Sequence, residues 1–350
     1  MSIMKKIYIN ARFLTQPLTG VQRFSLELCK ELNILRNDLV FLVNDKKQII
    51  NSDLVKDFNI VEINNGKGHY WEQIALPKYL KNLGSPLLIN LCSTAPIFYQ
   101  NQIVTHHDVT YVRYPTSFSF KFRLFYNLLI PAMLRSSKQV VTVSNFSKKE
   151  ISDVYSISPH KINVIYNAVS DSFTSDENIK REHFCLAVSS PNLHKNFQRM
   201  IEAFLASNTD LHLLIIGGQA TTFSNINYKE DPRVKFLGRI DDAELIRLYQ
   251  KASFFIFPSL YEGFGIPPLE AQACGCPVIA SNAASIPEVL GNSVEYFDPM
   301  NVQEIKSLIE EMTHNENLKS KLSVLGFENV KRFSWKNSAS RLNDLINKVV

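Results

Sequence analysis

Residues 254–270 read FFIFPSLYEGFGIPPLE, and this stretch decides the fold class of the chain. Its first four residues, Phe254–Phe257, are apolar and predict a buried strand. A loop follows, and Pro267 and Pro268 stand where the first turn of a helix is expected, because a missing N–H group matters little there. A strand, a loop and a helix in this order form the repeating unit of an α/β fold with a parallel sheet.

The same alternation of apolar strands and amphipathic helices extends through both halves of the chain. The first half has predicted strands at Lys6–Asn10, Leu39–Asn44, Leu87–Leu91, Ile103–His106, Val140–Val143 and Ile162–Tyr166, and helices at 20–35 and near 71–83. The second half has predicted strands at Phe184–Val188, Leu211–Ile216, Val234–Leu237, Phe254–Phe257 and Val278–Ala280, and helices at 196–207, 241–251, 266–274 and from 302 onward. Two such series predict two doubly wound, Rossmann-like domains that face a central cleft, with ligands at the carboxyl ends of the strands.

A polar stretch separates the two series. Ser170–Glu182 (SDSFTSDENIKRE) has no apolar periodicity and is typical of an interdomain linker. We therefore expect an N-terminal domain over residues 1–170, a linker over 171–182 and a C-terminal domain over 183–333. The length of 350 residues agrees with about two domains.

Composition places the chain among ordinary globular proteins, since 45% of its residues are hydrophobic and 20% are charged. No apolar run reaches the roughly 20 residues that a membrane-spanning helix needs, and no signal peptide is recognisable. We therefore expect a cytoplasmic protein. The five cysteines lack the spacing of a zinc site and are expected to be reduced.

Charge is distributed unevenly along the chain. Residues 1–175 contain 20 Lys and Arg against 12 Asp and Glu, whereas residues 176–350 contain 18 against 21. A charge of +8 over the first 175 residues is mild for a nucleic-acid-binding protein, and we expect no nucleic-acid partner. Residues 109–149 contain no Asp or Glu and mix basic with aromatic residues. Such a stretch can lie on an anionic membrane surface, or it can be a buried helix whose basic side chains reach out to water.

Two carboxylates, Glu262 and Glu270, stand in the loop after Phe257 and in the helix that follows. Between them, the backbone amides of Gly263, Phe264 and Gly265 can approach diphosphate oxygens, and the helix N-terminus adds partial positive charge. Carboxylates accept hydrogen bonds from sugar hydroxyl groups. The alternative is an ordinary strand–loop–helix connection with exposed carboxylates.

Two other side chains follow apolar strands. Lys195, in SSPNLHKN (189–196), stands just before a helix, where its ammonium group and the helix dipole can act on one anion. The alternative is a solvated lysine. His107, in His106-His107-Asp108, lies where ligand sites of α/β sheets occur. It can instead be a histidine satisfied in the core, or a zinc ligand, although no third ligand stands at a useful spacing.

The sequence resembles glycosyltransferase family 4, the retaining GT-B group of bacterial O-antigen and polysaccharide type. The resemblance rests on EGFGIPPLE (262–270), which matches the E-x7-E signature of retaining GT-B enzymes, and on its continuation through AQACGCPVIAS (271–281) and IPEVLG (286–291). It covers the chain from near residue 8 to near residue 310. It implies GT-B architecture, in which the C-terminal helix, residues 334–350, packs back on the N-terminal domain.

The resemblance also implies roles for single residues. Glu262 would contact the donor sugar and Glu270 the nucleotide ribose, while Lys195 would bind the diphosphate. His107 would approach the sugar near its anomeric carbon. The remaining nucleotide-sugar contacts would come from loop and strand-end residues: Gly20, Gln22, Ser190, Gly217, Gly238, Arg239, Ile240, Gly263, Phe264 and Gly265. Gly20 and Gln22 stand in the predicted loop Thr19–Arg23, and Ser190 stands where many members of the family carry Arg.

The resemblance implies a retaining hexosyltransferase acting in O-antigen or surface-polysaccharide biosynthesis. The donor would be a nucleotide-diphosphate sugar, with GDP-mannose favoured, and the acceptor a hydroxyl of a growing or polyprenyl-diphosphate-linked glycan at the inner face of the plasma membrane. Because no D-x-D occurs in the chain, we expect no metal and no other cofactor. Rhamnosyl or glucosyl transfer from dTDP- or UDP-sugars remains open. So do a GT-B sugar-nucleotide epimerase and a non-catalytic sugar-nucleotide-binding subunit.

Overall fold

The computed structural model describes residues 6–50, 52–176, 178–188, 190, 192–217 and 231–350. The chain divides into two compact units. The first unit contains Met1–Val109, Ser119–Asn167 and Trp335–Val350, and the second contains Thr110–Phe118 and Ala168–Ser334. Each unit is built around its own parallel sheet, which confirms the predicted fold class of two Rossmann-like domains.

The sheet of the first unit has seven strands within the residues described. They are β1 (Ile7–Asn10), β2 (Leu39–Val43), β3 (Ile60–Glu62), β4 (Leu88–Asn90), β5 (Gln102–Thr105), β6 (Gln139–Thr142) and β7 (Ile162–Val164). They lie in the order β3-β2-β1-β4-β5-β6-β7, and every pairing is parallel. The order reverses between β1 and β4, and open α/β sheets bind ligands at the carboxyl ends of the strands at such a switch point.

The sheet of the second unit has six strands in the described part of the chain. They are β8 (Phe184–Val188), β9 (His212–Ile216), β10 (Val234–Gly238), β11 (Phe254–Phe257), β12 (Val278–Ser281) and β13 (Glu295–Phe297). Their order is β10-β9-β8-β11-β12-β13, so the switch point lies between β8 and β11. All four residues of β11 are buried, as expected for a central parallel strand that is covered on both faces.

Helices connect the strands of both sheets. In chain order they are α1 (Gly20–Leu35), α2 (Gly68–Tyr70), a π-helical turn (Trp71–Ala75), α3 (Leu76–Asn82), α4 (Thr110–Arg113), α5 (Phe120–Ser136), α6 (Asn145–Tyr155), α7 (Phe197–Ala206), α8 (Asp242–Lys251), α9 (Ile266–Ala273), α10 (Ile286–Leu290), α11 (Val302–His314), α12 (Glu316–Val330) and α13 (Trp335–Val349). Short 3-10 turns lie at Arg12–Thr15, Lys46–Gln48, Ser52–Val55, Pro115–Ser117, Pro159–Lys161 and Leu193–Lys195. Among the helices described, none is long and apolar enough to cross a bilayer.

The first and last helices of the chain share one core. Phe24, Leu28 and Leu32 of α1 are buried and follow one another at intervals of four, so they line one face of the helix. Helix α13 packs along α1, and the ring of Trp335 lies edge-on to that of Phe24 at 6.0 Å between ring centres. The last sixteen residues therefore complete a core that the first residues begin.

The stretch predicted to be a linker forms neither helix nor strand where the structure describes it. Phe173 is buried and its ring lies 6.3 Å from that of Tyr249. The Arg181 guanidinium donates to four carbonyl oxygens, those of Tyr249, Gln250, Ala252 and Gly275. These contacts attach the stretch to the second unit.

The predicted pattern omits several elements, among them β3, β13, α5 and α6. The two strands have three residues each and are largely half-buried, so they leave no apolar run in the sequence. Helix α5 contains Pro131, which is unfavourable inside a helix, and it exposes several apolar residues. Its sequence therefore lacks the polar face that marks an amphipathic helix.

One segment groups with a different unit from the domain that was predicted to contain it. Residues 110–118 group with the second unit, in which the Ser117 Oγ lies 3.1 Å from the His194 Nδ1. Residues 335–350 group with the first unit, the one on which the family resemblance places the C-terminal helix, because α13 packs on α1. The grouping of residues 110–118 depends on contacts between residues far apart in the chain, which no local pattern reveals.

Candidate active site

A bidentate ion pair lies at the switch point of the second sheet. Lys195 ends the 3-10 turn after β8, and Glu262 lies in the loop after the neighbouring strand β11. The Lys195 Nζ is 2.8 Å from Glu262 Oε1 and 2.9 Å from Oε2. The two side chains are 17% and 13% exposed, so a ligand can still reach them. The structure thus brings together two residues that the sequence singled out separately.

The backbone after Lys195 is constrained. Asn196 has a φ of +61°, a left-handed conformation that asparagine tolerates better than most residues. Its buried side-chain amide donates to the carbonyl oxygens of Pro258 at 3.1 Å and Pro299 at 2.7 Å. The first of these bonds joins the loops that follow β8 and β11.

The loop Gly263–Gly265 leads directly into α9. Gly265 has a φ of +90°, and a Cβ atom there would lie 3.2 Å from a ring carbon of Phe257, so glycine suits this turn. The Phe264 side chain is buried edge-on against Phe333 at 5.5 Å between ring centres. It therefore anchors the loop, and its backbone is the part that can meet a ligand. Pro267 and Pro268 have no N–H group, so Ile266 and Leu269 supply the amides of the first turn of α9, and the helix dipole gives this end partial positive charge.

Glu270 lies in α9 and is 9% exposed. The hydroxyl of Tyr249, on α8, donates to Glu270 Oε2 at 3.4 Å. Burial, together with the charge of Glu270, raises the pKa of Tyr249 well above its usual range, so this hydroxyl keeps its proton. A carboxylate has about four acceptor positions, and Glu270 can accept bonds from ligand hydroxyls as well.

The two glycines predicted to flank the nucleotide base end neighbouring strands. Gly217 follows β9 with a φ of +121°, and Gly238 ends β10 with a φ of +73°. The Gly217 amide donates to the Gly238 oxygen at 2.8 Å. Arg239 is exposed and Ile240 half-buried just beyond them. These residues lie at or beyond the carboxyl ends of strands, as do Lys195 and Glu262. Gly218 lies outside the described residues.

Ser190 is exposed and accepts a hydrogen bond from the Asn192 side-chain amide at 3.0 Å. Its neighbours Ser189 and Pro191 lie outside the described residues. A hydroxyl can donate to a phosphate oxygen but carries no positive charge. Of Ser190 and Lys195, it is therefore Lys195 that can offer positive charge to an anion.

His107 is a buried, neutral histidine of the first unit. It is 8% exposed, its Nε2 lies 3.1 Å from the Leu91 oxygen, and its ring lies edge-on to Phe24. Because a carbonyl oxygen only accepts, Nε2 carries the proton and Nδ1 is left as an acceptor. Burial lowers the pKa of His107 and that of His106.

The prediction that Gly20 and Gln22 lie in a loop is wrong. Both belong to the first turn of α1, which begins at Gly20 after an extended Thr19. The Gln22 side-chain amide donates to Gln16 Oε1 at 3.1 Å. The predicted helix over 20–35 includes both positions, and the overlapping loop prediction over Thr19–Arg23 arose because Thr19 and Gly20 are typical of loops.

A polar cluster that the sequence analysis missed lies at the switch point of the first sheet. Asn10 and Asn90 end β1 and β4, and the Asn10 Nδ2 donates to Asn90 Oδ1 at 3.0 Å and to Glu72 Oε2 at 3.3 Å. Glu72, in the π-helical turn, is 1% exposed and accepts from Thr94 Oγ1 at 3.1 Å. The Arg12 Nε lies 3.7 Å from the same carboxylate.

Glu72 is held as a buried anion. Burial raises its pKa, but the hydrogen bond from His69, the charge of Arg12 and the hydrogen bond from Thr94 outweigh this, and the pKa lies below its usual range. π-Helical turns are frequent at functional sites. The available signal was the asparagine at the end of each apolar strand. Glu72 itself lies within an apolar helical pattern that offers no such signal.

The cysteines do not form a metal site in the part of the chain described. All five are free, and no group of three or more His, Cys, Asp or Glu side chains there is arranged to hold a metal ion. Cys274 and Cys276 are buried. Burial raises the pKa of Cys276 to about 12, so this thiol keeps its proton.

Comparison with known proteins identifies the family. Two family models match the chain: Glycosyl transferases group 1 over residues 170–326 and Glycosyltransferase Family 4 over residues 18–173. The O-antigen chain mannosyltransferase RfbU of Salmonella typhimurium is 32% identical over 246 residues, which cover 69% of this chain and 68% of that protein. The chain belongs to glycosyltransferase family 4. The O-antigen chain mannosyltransferase B of Escherichia coli is 26% identical to this glycosyltransferase over 96% of the chain and 98% of that protein.

Solved structures share the fold of this family 4 glycosyltransferase. Sucrose-phosphate synthase from Thermosynechococcus elongatus has a TM-score of 0.75 at 17% identity and covers 98% of both chains. Anabaena HepE, solved with UDP and glucose, has a TM-score of 0.72 at 16% identity over 98% of this chain and 100% of that one. At such identities the likeness shows the fold alone, which is GT-B.

Proposed function

We propose that this glycosyltransferase transfers mannose from GDP-mannose to a hydroxyl group of a growing or lipid-linked glycan, with retention of anomeric configuration and without a metal ion. The biosynthesis of O-antigen or a surface polysaccharide is the proposed context, since RfbU and mannosyltransferase B are both named as O-antigen chain enzymes. The Lys195–Glu262 pair at the switch point carries the proposal. An ammonium group and a carboxylate side by side suit a ligand with phosphate at one end and sugar hydroxyls at the other.

The second unit would stabilise the leaving diphosphate. Two of the three N–H groups of the Lys195 ammonium suffice for Glu262, and the third can donate to a phosphate oxygen. The amides of Gly263–Gly265 add donors where negative charge develops, and the dipole of α9 adds partial positive charge there. Fixed positive charge of this kind can replace a metal cation, which is our reason for proposing that none is needed.

In the proposed reaction, the bond that breaks at C1 and the bond that forms there lie on the same face of the sugar. The bond from C1 to the diphosphate oxygen breaks, and its electron pair stays on that oxygen. The acceptor hydroxyl forms the new bond to C1, and its proton passes to the leaving phosphate. No protein nucleophile is required. Glu262 would orient the sugar and Glu270 the ribose, while the His107 Nδ1 would accept a hydrogen bond from the donor sugar.

The remaining proposed contacts involve backbone and small polar groups. Gly20 and Gln22, at the start of α1, are proposed to meet the donor phosphates or the acceptor. Ser190 is proposed to add a hydroxyl contact at the diphosphate. The base would lie against Gly217, Gly238, Arg239 and Ile240.

Substitution of the ion pair tests this function. We expect Lys195→Ala and Glu262→Gln to lower kcat by a factor on the order of 100 to 1,000, because each removes a group that acts on the departing diphosphate or its sugar. Lys251→Ala is the matched control, since Lys251 forms a 2.8 Å ion pair with Glu182 on the surface of the same unit. Wild-type rates in either purified site variant would contradict the assignment.

Retention of configuration, independence of metal and the choice of donor need separate measurements. NMR of the product from GDP-mannose would show an unchanged anomeric configuration if the enzyme is retaining, and activity would survive EDTA if no metal acts. Turnover with a dTDP- or UDP-sugar in place of GDP-mannose would favour rhamnosyl or glucosyl transfer. Conversion of the donor without any acceptor would instead indicate an epimerase, and binding without turnover a non-catalytic subunit.

We further propose that the enzyme is cytoplasmic and that α5 lies on an anionic membrane surface. Phe120, Leu124 and Leu128 are 69%, 53% and 71% exposed, and their spacing of four places them on one face of the helix. Residues 109–149 contain no acidic side chain, so no residue of this segment offsets the charge of basic groups such as Lys121 beside this face. Apolar area next to positive charge is the combination that anionic lipid attracts. This location would suit a lipid-diphosphate-linked acceptor.

Vesicle flotation tests this surface. The wild-type protein should float with phosphatidylglycerol-containing vesicles, less with phosphatidylcholine alone, and less at high salt. The double variant Phe120→Ser/Leu128→Ser should remain unbound. Ile34→Ser, at a residue 77% exposed on α1, is the control and should float like wild type. No flotation of the wild type, or equal flotation of the double variant, would refute the proposal.

A further inference from the structure

A short segment from the first half of the chain packs against the turn that carries Lys195. Residues 110–118 group with the second unit and contain α4 and the 3-10 turn Pro115–Ser117. The Ser117 hydroxyl lies 3.1 Å from the His194 Nδ1. His194 is 4% exposed and stands immediately before Lys195.

The ring of Tyr114 lies between the two loops of the ion pair. Its centre is 5.8 Å from the ring of His194 and 5.8 Å from the ring of Tyr261. His194 directly precedes Lys195, and Tyr261 directly precedes Glu262. One aromatic side chain therefore contacts the residue before each member of the ion pair.

A backbone hydrogen bond also links the two loops that Tyr114 contacts. The Leu260 amide donates to the His194 oxygen at 2.8 Å, which ties the loop after β11 to the turn after β8. Tyr261 is 5% exposed, so two of the three rings are buried. Aromatic rings at this separation attract each other beyond their apolar burial. Removal of the Tyr114 ring would leave a cavity beside both loops.

We propose that Tyr114 is a positioning residue that sets where the Lys195 ammonium meets the donor diphosphate. The inference rests on the proposed function of Lys195 and extends it to a residue outside that site. Lys195 has a long, flexible side chain, so its position depends on the backbone on both sides. Asn196 holds the backbone after Lys195, and the Tyr114 cluster holds the backbone before it. Misplacement of a charged group by about 1 Å can weaken its action by two orders of magnitude.

The proposal predicts a selective loss of diphosphate recognition. GDP, UDP, ADP and dTDP serve as probes, each compared with its monophosphate by calorimetric titration of the full-length protein. We expect the wild type to bind one diphosphate more tightly than the matching monophosphate. Tyr114→Ala should lower this preference about 10-fold or more and leave monophosphate affinity within about 2-fold. Tyr114→Phe keeps the ring and should retain the preference.

Two further variants separate positioning from general damage. Tyr296→Ala makes the same substitution on β13 of the same unit, where the Tyr296 hydroxyl donates to the Gly291 oxygen at 2.7 Å, and it should keep the preference. Ser117→Ala should weaken the preference less than Tyr114→Ala, because it removes a single hydrogen bond. The melting temperature without ligand shows whether Tyr114→Ala is folded. If it is not, Tyr114→Leu, which fills part of the volume without an aromatic ring, takes its place.

Lys195→Ala, measured in parallel, shows whether a negative result contradicts the proposed role of Lys195 or only the positioning role of Tyr114. If Lys195→Ala keeps the diphosphate preference, or the wild type shows none, the proposed role of Lys195 fails and this inference fails with it. If Lys195→Ala loses the preference while the folded Tyr114 variant keeps it, only the positioning role is overturned. Loss in both, with recovery in Tyr114→Phe, supports the proposal.

Discussion

At the scale of single residues, the two units hold their charged groups in different environments. The Lys195–Glu262 pair is partly exposed and has two members. Glu72 is 1% exposed and has several donors around one carboxylate, among them Asn10 and Thr94. The groups of a partly exposed ion pair can bind a ligand in place of each other. A buried charged group mainly affects how the surrounding backbone packs.

Glu72→Gln should destabilise the protein by about 2–3 kcal/mol, because it removes the charge that compensates Arg12 and turns an acceptor into a donor facing other donors. Urea unfolding monitored by circular dichroism measures the change. Glu182→Gln is the control: Glu182 is 53% exposed in its ion pair with Lys251, and its loss should change stability by less than about 1 kcal/mol. Equal effects in the two variants would contradict the buried-anion interpretation.

Stability should fall as the solution becomes acidic, and His106 should contribute to the fall. Burial lowers the pKa of His106 below the value of about 6.5 that it has when unfolded. Between the folded and unfolded pKa values the unfolded chain binds more protons, so the stabilising contribution is complete above about pH 6.5 and is lost as the pH falls through the folded pKa. Unfolding free energies should decrease from pH 7 to pH 5 by on the order of 1–3 kcal/mol.

His106→Asn tests the source of this pH dependence. The variant removes one titrating group, so its unfolding free energy should change less steeply with pH than that of the wild type, whatever its stability at pH 7. His160→Asn makes the same substitution at an exposed histidine, in the turn Pro159–Lys161, and is measured for comparison. An unchanged slope in His106→Asn would assign the pH dependence to other groups.

At the scale of elements, close contact between α12 and α9 depends on a glycine. A Cβ atom at Gly326 would lie 2.9 Å from the Gln272 Cγ. Gln272 is 1% exposed, and its side chain bonds to the Ser293 hydroxyl at 2.6 Å and to the Asn329 amide at 2.8 Å. It therefore has little freedom to move away, although glycine is otherwise unfavourable inside a helix.

Gly326→Ala should lower stability by about 1–2 kcal/mol, because the crowding against Gln272 exceeds the gain of up to about 1 kcal/mol in helix propensity. Gly20→Ala is the matched control in α1, where a new Cβ atom would meet nothing within 4 Å. That substitution should be neutral or stabilising. Thermal unfolding of both variants checks the signs, and a stabilised Gly326→Ala would mean that Gln272 can rearrange.

At the scale of the whole molecule, the chain crosses between its two units more than once. Trp335–Val350 belongs to the first unit although it follows the second in sequence. Within that unit, the Arg36 guanidinium donates to Asn343 and Asn347 at 2.8 Å and 2.7 Å, and the Ser338 hydroxyl donates to the Tyr166 oxygen at 2.7 Å. The first unit therefore cannot complete its packing until the whole chain is present.

Trp335→Ala should destabilise the first unit by about 3–5 kcal/mol, since it removes a large side chain packed on Phe24. Hydrogen exchange should show faster exchange in α1 and α13, with little change in α9. Leu318→Ala is the control in the second unit, where Leu318 packs partly buried against the core of that unit. Its effects should be confined to the second unit. Uniform acceleration in both units for Trp335→Ala would indicate a single cooperative structure.

The sequence by itself determined the fold class and the chemistry of the motif. Alternating apolar strands and helices predict parallel sheets because strand and helix periods are local properties of the chain. The positions of Lys195 and Glu262 after apolar strands were sufficient to place both at the carboxyl ends of a sheet. The chemistry of the residues in EGFGIPPLE is likewise local, which is why that segment was informative before the tertiary structure was considered.

Only the tertiary structure decided how these local pieces are combined. The ion pair of Lys195 with Glu262, the cluster of Tyr114 with His194 and Tyr261, and the burial of Glu72 all join residues distant in sequence. The short strands β3 and β13 form through pairing with a neighbour rather than through an apolar run of their own. Such features depend on which surfaces meet when the chain packs, and a contact between distant residues leaves no periodic signal in a single sequence.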